Sequence, residues 1–229
     1  MNGILLIDKP EGWTSFDVVN KVRWLIETSG LNTTGKKRFP VGHAGTLDPL
    51  ATGLLVLLLG DYTKRAQEFS KLDKTYEVTM RLGQTSTTGD EEGEKTVVSD
   101  RQPSQDEILI VLRHFRGEIQ QTPPAYSAIK INGQRAYKLA RKGKEVKLEP
   151  RPVKIYETTD VTYEYPEVTF TTRVSSGTYI RSLVEDIGKR LGIGAYMSAL
   201  KRTQVGKHHI DNAQNLGTLS AKKVAPSLE

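Results

Sequence analysis

An α+β fold on a mixed sheet is the class the sequence predicts, and three observations predict it. Segments of strand period and of helical period follow one another in irregular order, no internal repeat recurs, and no strand–helix–strand unit repeats as a doubly wound parallel sheet requires. The 229 residues, 37% of them hydrophobic, can bury a sizeable core. One domain over 1–229 is expected.

Residues 3–7 read as a short buried strand. Pro10 and Gly12 then turn the chain, and Ser15 is placed to cap a helix with Phe16, Val19, Val22 and Ile26 on its inner face and Gly30 at its end. The unbroken apolar run 54–59 is a core strand. Tyr76, Val78, Met80 and Leu82 alternate with Thr75, Glu77, Thr79 and Arg81, the period-two pattern of a half-buried strand. Ser104 with Glu107 forms a capping box ahead of Ile108, Val111, Leu112 and Phe115, and Gly117 stops that helix. Asn132-Gly133 reads as a tight turn before a basic helix reaching Gly143, and 153–174 reads as two strands. Ile180, Leu183, Val184, Ile187 and Leu191 form the inner stripe of a last helix that stops at Gly192.

Composition narrows the chemistry. The absence of cysteine removes disulfides, thiolate metal sites and thiol nucleophiles. The longest apolar run, six residues, is far too short to span a bilayer, so a cytoplasmic protein with no membrane association is expected. A net charge of +6 favours a polyanionic partner. Nine basic residues between Lys130 and Lys154, Lys130, Arg135, Lys138, Arg141 and Lys142 among them, stand against Glu145 and Glu149 for a local +7. With Tyr126 and Tyr137 interleaved, this stretch suits a nucleic-acid backbone, although a solvated helix face is the plain alternative. Lys64 and Arg202 join these as backbone-contact candidates. The acidic stretch 90–107 carries seven carboxylates against Lys95 and Arg101.

Two patterns lead nowhere. The segment 30–36 opens like a phosphate-binding loop, but Lys37 stands where the motif needs Ser or Thr, and a helix rather than a strand precedes it. His43, His114, His208 and His209 show no metal-ligand spacing, so no metal is expected. The informative segment is 42–53, Gly-His-Ala-Gly-Thr-Leu-Asp-Pro-Leu-Ala-Thr-Gly. Its glycines allow close backbone approach, and Pro49 holds Asp48 extended, aiming a carboxylate just ahead of the most apolar strand, where burial is expected. Asp-Pro also caps turns, and spacing leaves both readings open. Arg181 lies at the edge of the last helix's inner face, placed either to reach a cleft or to pair with Glu185 at i, i+4. Tyr76 and Tyr179 read as core unless a site claims them.

Three motifs then carry a resemblance. Residues 6–15 (Leu-Ile-Asp-Lys-Pro-Glu-Gly-Trp-Thr-Ser), 42–55, and 176–183 (Ser-Gly-Thr-Tyr-Ile-Arg-Ser-Leu) closely resemble, in order, the signature motifs of the bacterial TruB family, the tRNA pseudouridine-55 synthases. Lys74-Thr75-Tyr76, the segment 123–128 and Leu200-Lys201-Arg202 extend the match over nearly the whole chain. The resemblance implies a largely antiparallel central sheet flanked by helices and loops. It implies a cofactor-free, monomeric isomerase that acts on the T arm of tRNA, with Asp48 as nucleophile, Arg181 paired with it, and Tyr76 stacked on the target uracil. His43, Tyr179 and Leu200 would contact the flipped nucleotide. A basic insertion at about 124–152 would grip the T arm. Relatives usually carry a further C-terminal PUA-type domain, which is not expected here, and the connection 28–40, with Lys36, Lys37 and Arg38, looks longer than is usual in the family.

Overall fold

A computed structural model describes every residue except 33, 34, 36, 125, 128, 129, 132, 137, 138, 140–147 and 225–229. The chain divides into two compact units, Met1–Glu77 with Leu200–Glu229, and Val78–Ala199. Strands β4 (Lys74–Leu82) and β12 (Ala195–Val205) each run from one unit into the other.

The first unit is organised by β3 (Thr52–Leu59), in which Leu54 to Leu59 are fully buried, as an all-apolar strand with both faces covered should be. Strand β1 (Gly3–Lys9) runs antiparallel to it through seven pairs, from Gly3 opposite Leu59 to Lys9 opposite Gly53. Strand β2 (Val41–His43) also pairs antiparallel with β3, and β12 joins in parallel through Lys201 opposite Thr52 and Arg202 opposite Gly53. At the edge, β14 (Gln214–Asn215) lies parallel to β1, and β13 (His208–His209) turns back on β12. The pairing is thus mixed. Ile4, Leu54, Val56, Leu58, Phe69 and Val205 form one apolar cluster with Ala44.

Helix α1 (Ser15–Thr28) packs on β2 and buries Val18, Val19, Val22 and Ile26. Its cap is Thr14, which accepts from the Asp17 amide while Asp17 accepts from the Thr14 amide. The expected cap, Ser15, is the first helical residue and buried, and Phe16, expected inside, is 57% exposed because the buried stripe runs through 15, 18, 19, 22 and 26. Short helix α2 (Ala66–Ser70) buries Phe69.

In the second unit, β10 (Arg151–Glu164) pairs antiparallel with both β11 (Glu167–Val174) and β7 (Gly117–Gln121). The far end of β4 lies beside β11, where the Thr79 and Thr169 hydroxyls meet at 3.2 Å. Its alternation is as expected, with Val78, Met80 and Leu82 inside. Strands β5 (Gln84–Ser86) and β6 (Lys95–Val97) pair antiparallel, as do β8 (Lys130–Ile131) and β9 (Gln134–Arg135); residue 132 of the turn expected between the latter two lies outside the described residues. The basic helix expected beyond that turn falls largely outside the described residues. Helix α3 (Gln105–His114) has the complete Ser104–Glu107 capping box, and α4 (Ile180–Leu191) ends on Gly192 in the left-handed region, φ +73°.

Helix α4 approaches the start of β12 so closely that a Cβ on Gly188 would lie 2.2 Å from the Ala195 amide nitrogen. Backbone cannot retreat as a side chain can, so Gly188→Ala is expected to lower stability by about 3 kcal/mol, the upper end for overpacking. Urea unfolding checks it, and an unchanged midpoint would contradict this packing.

Candidate active site

Two inward-facing positions of the first unit carry charge where the strand pattern calls for an apolar residue. Lys9 follows Ile7 on the inner face of β1 and is fully buried; Lys74 precedes Tyr76 and Val78 on the inner face of β4 and is 6% exposed. Buried ammonium groups are tolerated only when hydrogen-bonded. Lys9 Nζ donates to the carbonyls of Trp13 (2.7 Å), Pro10 (2.9 Å) and Pro49 (3.3 Å), and Lys74 Nζ donates to those of Ser70 and Leu72. Lys9 thereby ties the end of β1 to the segment carrying Asp48. A second tie runs from the Gly12 amide to the same Pro49 carbonyl, 2.9 Å.

Arg202, expected among the contacts to an RNA backbone, is instead 1% exposed. Its Nε donates to Leu54 O (2.8 Å) and its terminal nitrogens to Gly45 O (3.1 Å) and Thr46 O (3.5 Å). A guanidinium engaged with three internal carbonyls is unable to face a phosphate at the surface, so the expectation is corrected: Arg202 braces the loop. Gly53 makes room for it, at φ +96° with a Cβ position only 2.3 Å from Arg202 O. Ser15 adds a third brace, its hydroxyl donating to Leu47 O (2.9 Å) and accepting from Leu47 N (2.8 Å).

Segment 42–53 is therefore held from both sides of Asp48. Leu47 and Ala51 are buried, while Asp48 itself is exposed, where the sequence pointed to a buried carboxylate. Burial has gone to the supports and left the carboxylate at the surface. Beneath it the basic groups crowd one another. Burial pushes Lys9 down to about 8, opposed by attraction to Asp48, and the nearby Arg202 guanidinium lowers it further. Burial, then Arg202, also brings Lys74 to about 8 and holds His43 below the ordinary imidazole value. His43, at the end of β2, is half-buried, and its Nδ1 is buried without a hydrogen-bond partner among the described residues. Tyr76 is 8% exposed on the inner face of β4, and Leu200 is half-buried on β12. Lys64 is exposed and paired with Asp61 at 2.6 Å.

In the second unit, Arg181 lies on the first turn of α4 and is 8% exposed. Its guanidinium meets Asp90 Oδ2 at 3.2 Å and donates to the carbonyls of Thr88 (3.2 Å) and Tyr126 (2.8 Å). Asp90, itself 4% exposed, also accepts from the Thr88 hydroxyl and the Glu92 amide. The start of α4 is fixed by Gln121, whose side-chain amide pairs with both the N–H (2.8 Å) and the C=O (3.0 Å) of Tyr179, and by Ser182, whose hydroxyl donates to Thr122 O. The structure thus brings Asp48, His43, Tyr76 and Leu200 into one unit and Arg181 and Tyr179 into the other. Lys138, Arg141 and Lys142 lie outside the described residues, and only the backbone of Lys130 and Arg135 is described. Among the described residues no group of His, Asp and Glu could hold a metal ion.

The sequence reading missed Lys9, Lys74, Asp90 and Gln121. Extending the alternation of β1 and β4 by one inward step finds both lysines. Asp90 and Gln121 carry no comparable signal, because each is defined by a partner 58 to 91 positions away in the chain.

The mixed sheet presents a carboxylate on a braced glycine-rich loop, and comparison with known proteins gives the class, the pseudouridine synthases, and then the family. The model of the TruB family pseudouridylate synthase N-terminal domain matches residues 33–180, and that of the tRNA pseudouridylate synthase B C-terminal domain matches 181–225. The chain belongs to the TruB family of pseudouridylate synthases. It is 45% identical to the tRNA pseudouridine synthase B of Pseudomonas aeruginosa (strain UCBPP-PA14), over 96% of this chain and 69% of that protein, and 46% identical to that of Pseudomonas syringae pv. syringae (strain B728a), over 90% and 64%. Among solved structures it is similar to a chain of a Cbf5-Nop10-Gar1 complex, with TM-score 0.69 and 30% identity, covering 95% of this chain and 53% of that one. The chain thus spans about two thirds of the length of its curated relatives and about half that of the solved chain.

The Lys9 shift sets a pH dependence. With its folded value near 8 and an ordinary value of 10.5, an unfolded chain binds the extra proton between those limits, so this group's contribution to stability rises with pH across that window and is lost as pH falls through about 8. From about pH 7.5 to about pH 9.5, the stability of wild type relative to Lys9→Met is expected to shift in favour of wild type, by at most about 1.4 kcal/mol per pH unit. Urea midpoints at both pH values check it, and a constant difference would contradict it.

Proposed function

We propose that this chain isomerises the uridine at position 55 in the T loop of tRNA to pseudouridine, with Asp48 as the nucleophile. The observation that carries the reading is a surface carboxylate on a loop whose backbone is fixed by buried donors. Such a group is reachable by a nucleotide swung out of a folded RNA, yet is held in one geometry at no further entropic cost during reaction. Membership of the TruB family, and the names of relatives at 45% and 46% identity, support the substrate.

The reaction breaks the bond from ribose C1′ to N1 of the uracil and joins C1′ to C5. The C5 proton leaves to solvent and N1 gains one, so no electron acceptor or added group is required. Asp48 attacks as a carboxylate, from a loop whose backbone is fixed by Lys9, Arg202 and Ser15. Attack at C1′, attack at C6, and proton abstraction at C2′ leading to a glycal are all within reach of one carboxylate. Tyr76 supplies the face on which the extruded uracil stacks, replacing stacking lost from the T loop. His43, Tyr179 and Leu200 line the path of the flipped nucleotide. Arg181 is the cation we assign to Asp48 on the family resemblance; within its own unit its guanidinium is fixed by Asp90 and by the Thr88 and Tyr126 carbonyls. Lys64 and the basic stretch, Lys130, Arg135, Lys138, Arg141 and Lys142, contact phosphates of the T arm. We also propose that the catalytic fold is one domain with its gripping insertion at about 124–152, acting as a monomer in the cytoplasm.

An unmodified tRNA transcript carrying tritium at C5 of uridine tests this reading. Wild type is expected to release the label, and Asp48→Asn to release it at least about 10³-fold more slowly, as loss of a covalent nucleophile implies. Equal release by both proteins would remove Asp48 from its role, and no release by wild type would remove the function.

A further inference from the structure

Helix α1 turns one face into the core and leaves the opposite one carrying aromatic side chains that no packing demand explains. The chain has two tryptophans, and both lie here: Trp13 is 38% and Trp24 54% exposed. With Gly12, Asp17, Asn20 and Lys21 they line one groove of about 580 Å³, the positions 13, 17, 20, 21 and 24 forming a stripe along the helix. Exposed indoles so aligned mark a surface that meets a partner.

The chemistry of the groove says which partner. The Lys21 ammonium lies 4.9 Å from the centre of the Trp24 ring, so cation and π face are offered together. The carboxylate of Asp17 is turned into the helix cap, where it accepts from the Thr14 amide and hydroxyl. At the Trp24 end, Arg23 donates to the carbonyls of Phe39 and Val41 and stands near Arg38, and Lys37 and Arg38 are both exposed. The facing carboxylate, Glu27, accepts from the Phe39 amide. An apolar protein surface would leave the Lys21 charge unanswered; a nucleotide, with a flat base and an anionic phosphate, uses both ring and cation. The groove is also joined to the reactive loop, since Lys9 Nζ bridges the carbonyls of Trp13 and Pro49, and Gly12 N donates to Pro49 O.

We infer that this groove binds an unpaired nucleotide of the RNA substrate, its base stacked against the indoles and its phosphate met by Lys21, with Lys37 and Arg38 extending the contact along the backbone. The inference rests on reading the chain as an RNA-modifying enzyme. It adds a stacking site outside the pocket of the target uridine.

The test titrates the full chain with an unmodified tRNA transcript while following tryptophan emission, and measures label release for wild type, Trp24→Ala and Trp24→Phe. Wild-type emission is expected to be quenched on binding. Trp24→Ala is expected to raise KM for tRNA about tenfold with kcat within about twofold, equivalent to about 1.4 kcal/mol of binding, and Trp24→Phe to recover most of it. Matched thermal melts confirm that the exposed position leaves folding intact. Unchanged KM and unquenched emission with normal label release would overturn the groove and leave the synthase standing. Quenching and Trp24-dependent binding without label release would keep the groove and overturn the synthase, and failure of both readouts would overturn both. A dimer in sedimentation that Trp24→Ala abolishes, with KM unchanged, would assign the groove to a second copy and overturn the inference.

Discussion

Positively charged side chains directed inward onto main-chain carbonyls are what the loop around Asp48 depends on. A glycine-rich connection would sample many conformations by itself. Here Lys9, Arg202 and Ser15 satisfy the carbonyls of Leu47, Pro49, Gly45, Thr46 and Leu54, so the loop has one low-energy path. Burying two cations is unfavourable unless every donor finds an acceptor, which makes the arrangement self-consistent. Lose the loop geometry and the cations are stranded; lose a cation and several carbonyls are left unpaired. Burial first, and then the nearby Arg202 guanidinium, holds Lys9, Lys74 and His43 below their ordinary values.

The second unit holds its guanidinium by related means. Arg181 is enclosed by one carboxylate and two carbonyls, and Asp90 is in turn held by Thr88 and Glu92. Removing one partner of such a buried pair typically costs 3–5 kcal/mol, roughly, because the other charge is left uncompensated. The bidentate grip of Gln121 on the Tyr179 backbone sets where α4 begins, and the first turn of α4 sets where Arg181 points.

Much of this was legible in the sequence because it is local. The capping box at Ser104, the alternation through Tyr76 and Val78, the Gly192 stop and the apolar run of β3 each follow from neighbours a few residues apart. The Asp-Pro pair in its glycine-rich frame drew attention to Asp48 but left a turn cap and an aimed carboxylate both open, and only the family resemblance implied a role for it. What was not legible is what depends on distant partners. Strand β12 lacks a clean alternation because its inward positions include Arg202, whose acceptors lie 148 to 157 residues earlier. The same blindness sent Arg202 to the surface and Asp48 to the interior, since a motif shows which residues go together and not which of them faces water. Phe16 was misplaced by a smaller error: Val19, Val22 and Ile26 lie inside as expected, but Ser15 and Val18 complete the stripe and leave Phe16 off it.

The account stands on the brace, and Arg202→Lys tests it most directly, because it keeps the charge while giving up the guanidinium's fork of donors. Hydrogen exchange at the Leu47 and Ala51 amides, followed alongside the single-turnover rate on tRNA, reads the loop and the chemistry together. A braced loop predicts that both amides lose at least about tenfold of their protection and that the rate falls with them while tRNA affinity holds. Full protection with a reduced rate, or lost protection with an unchanged rate, would contradict it.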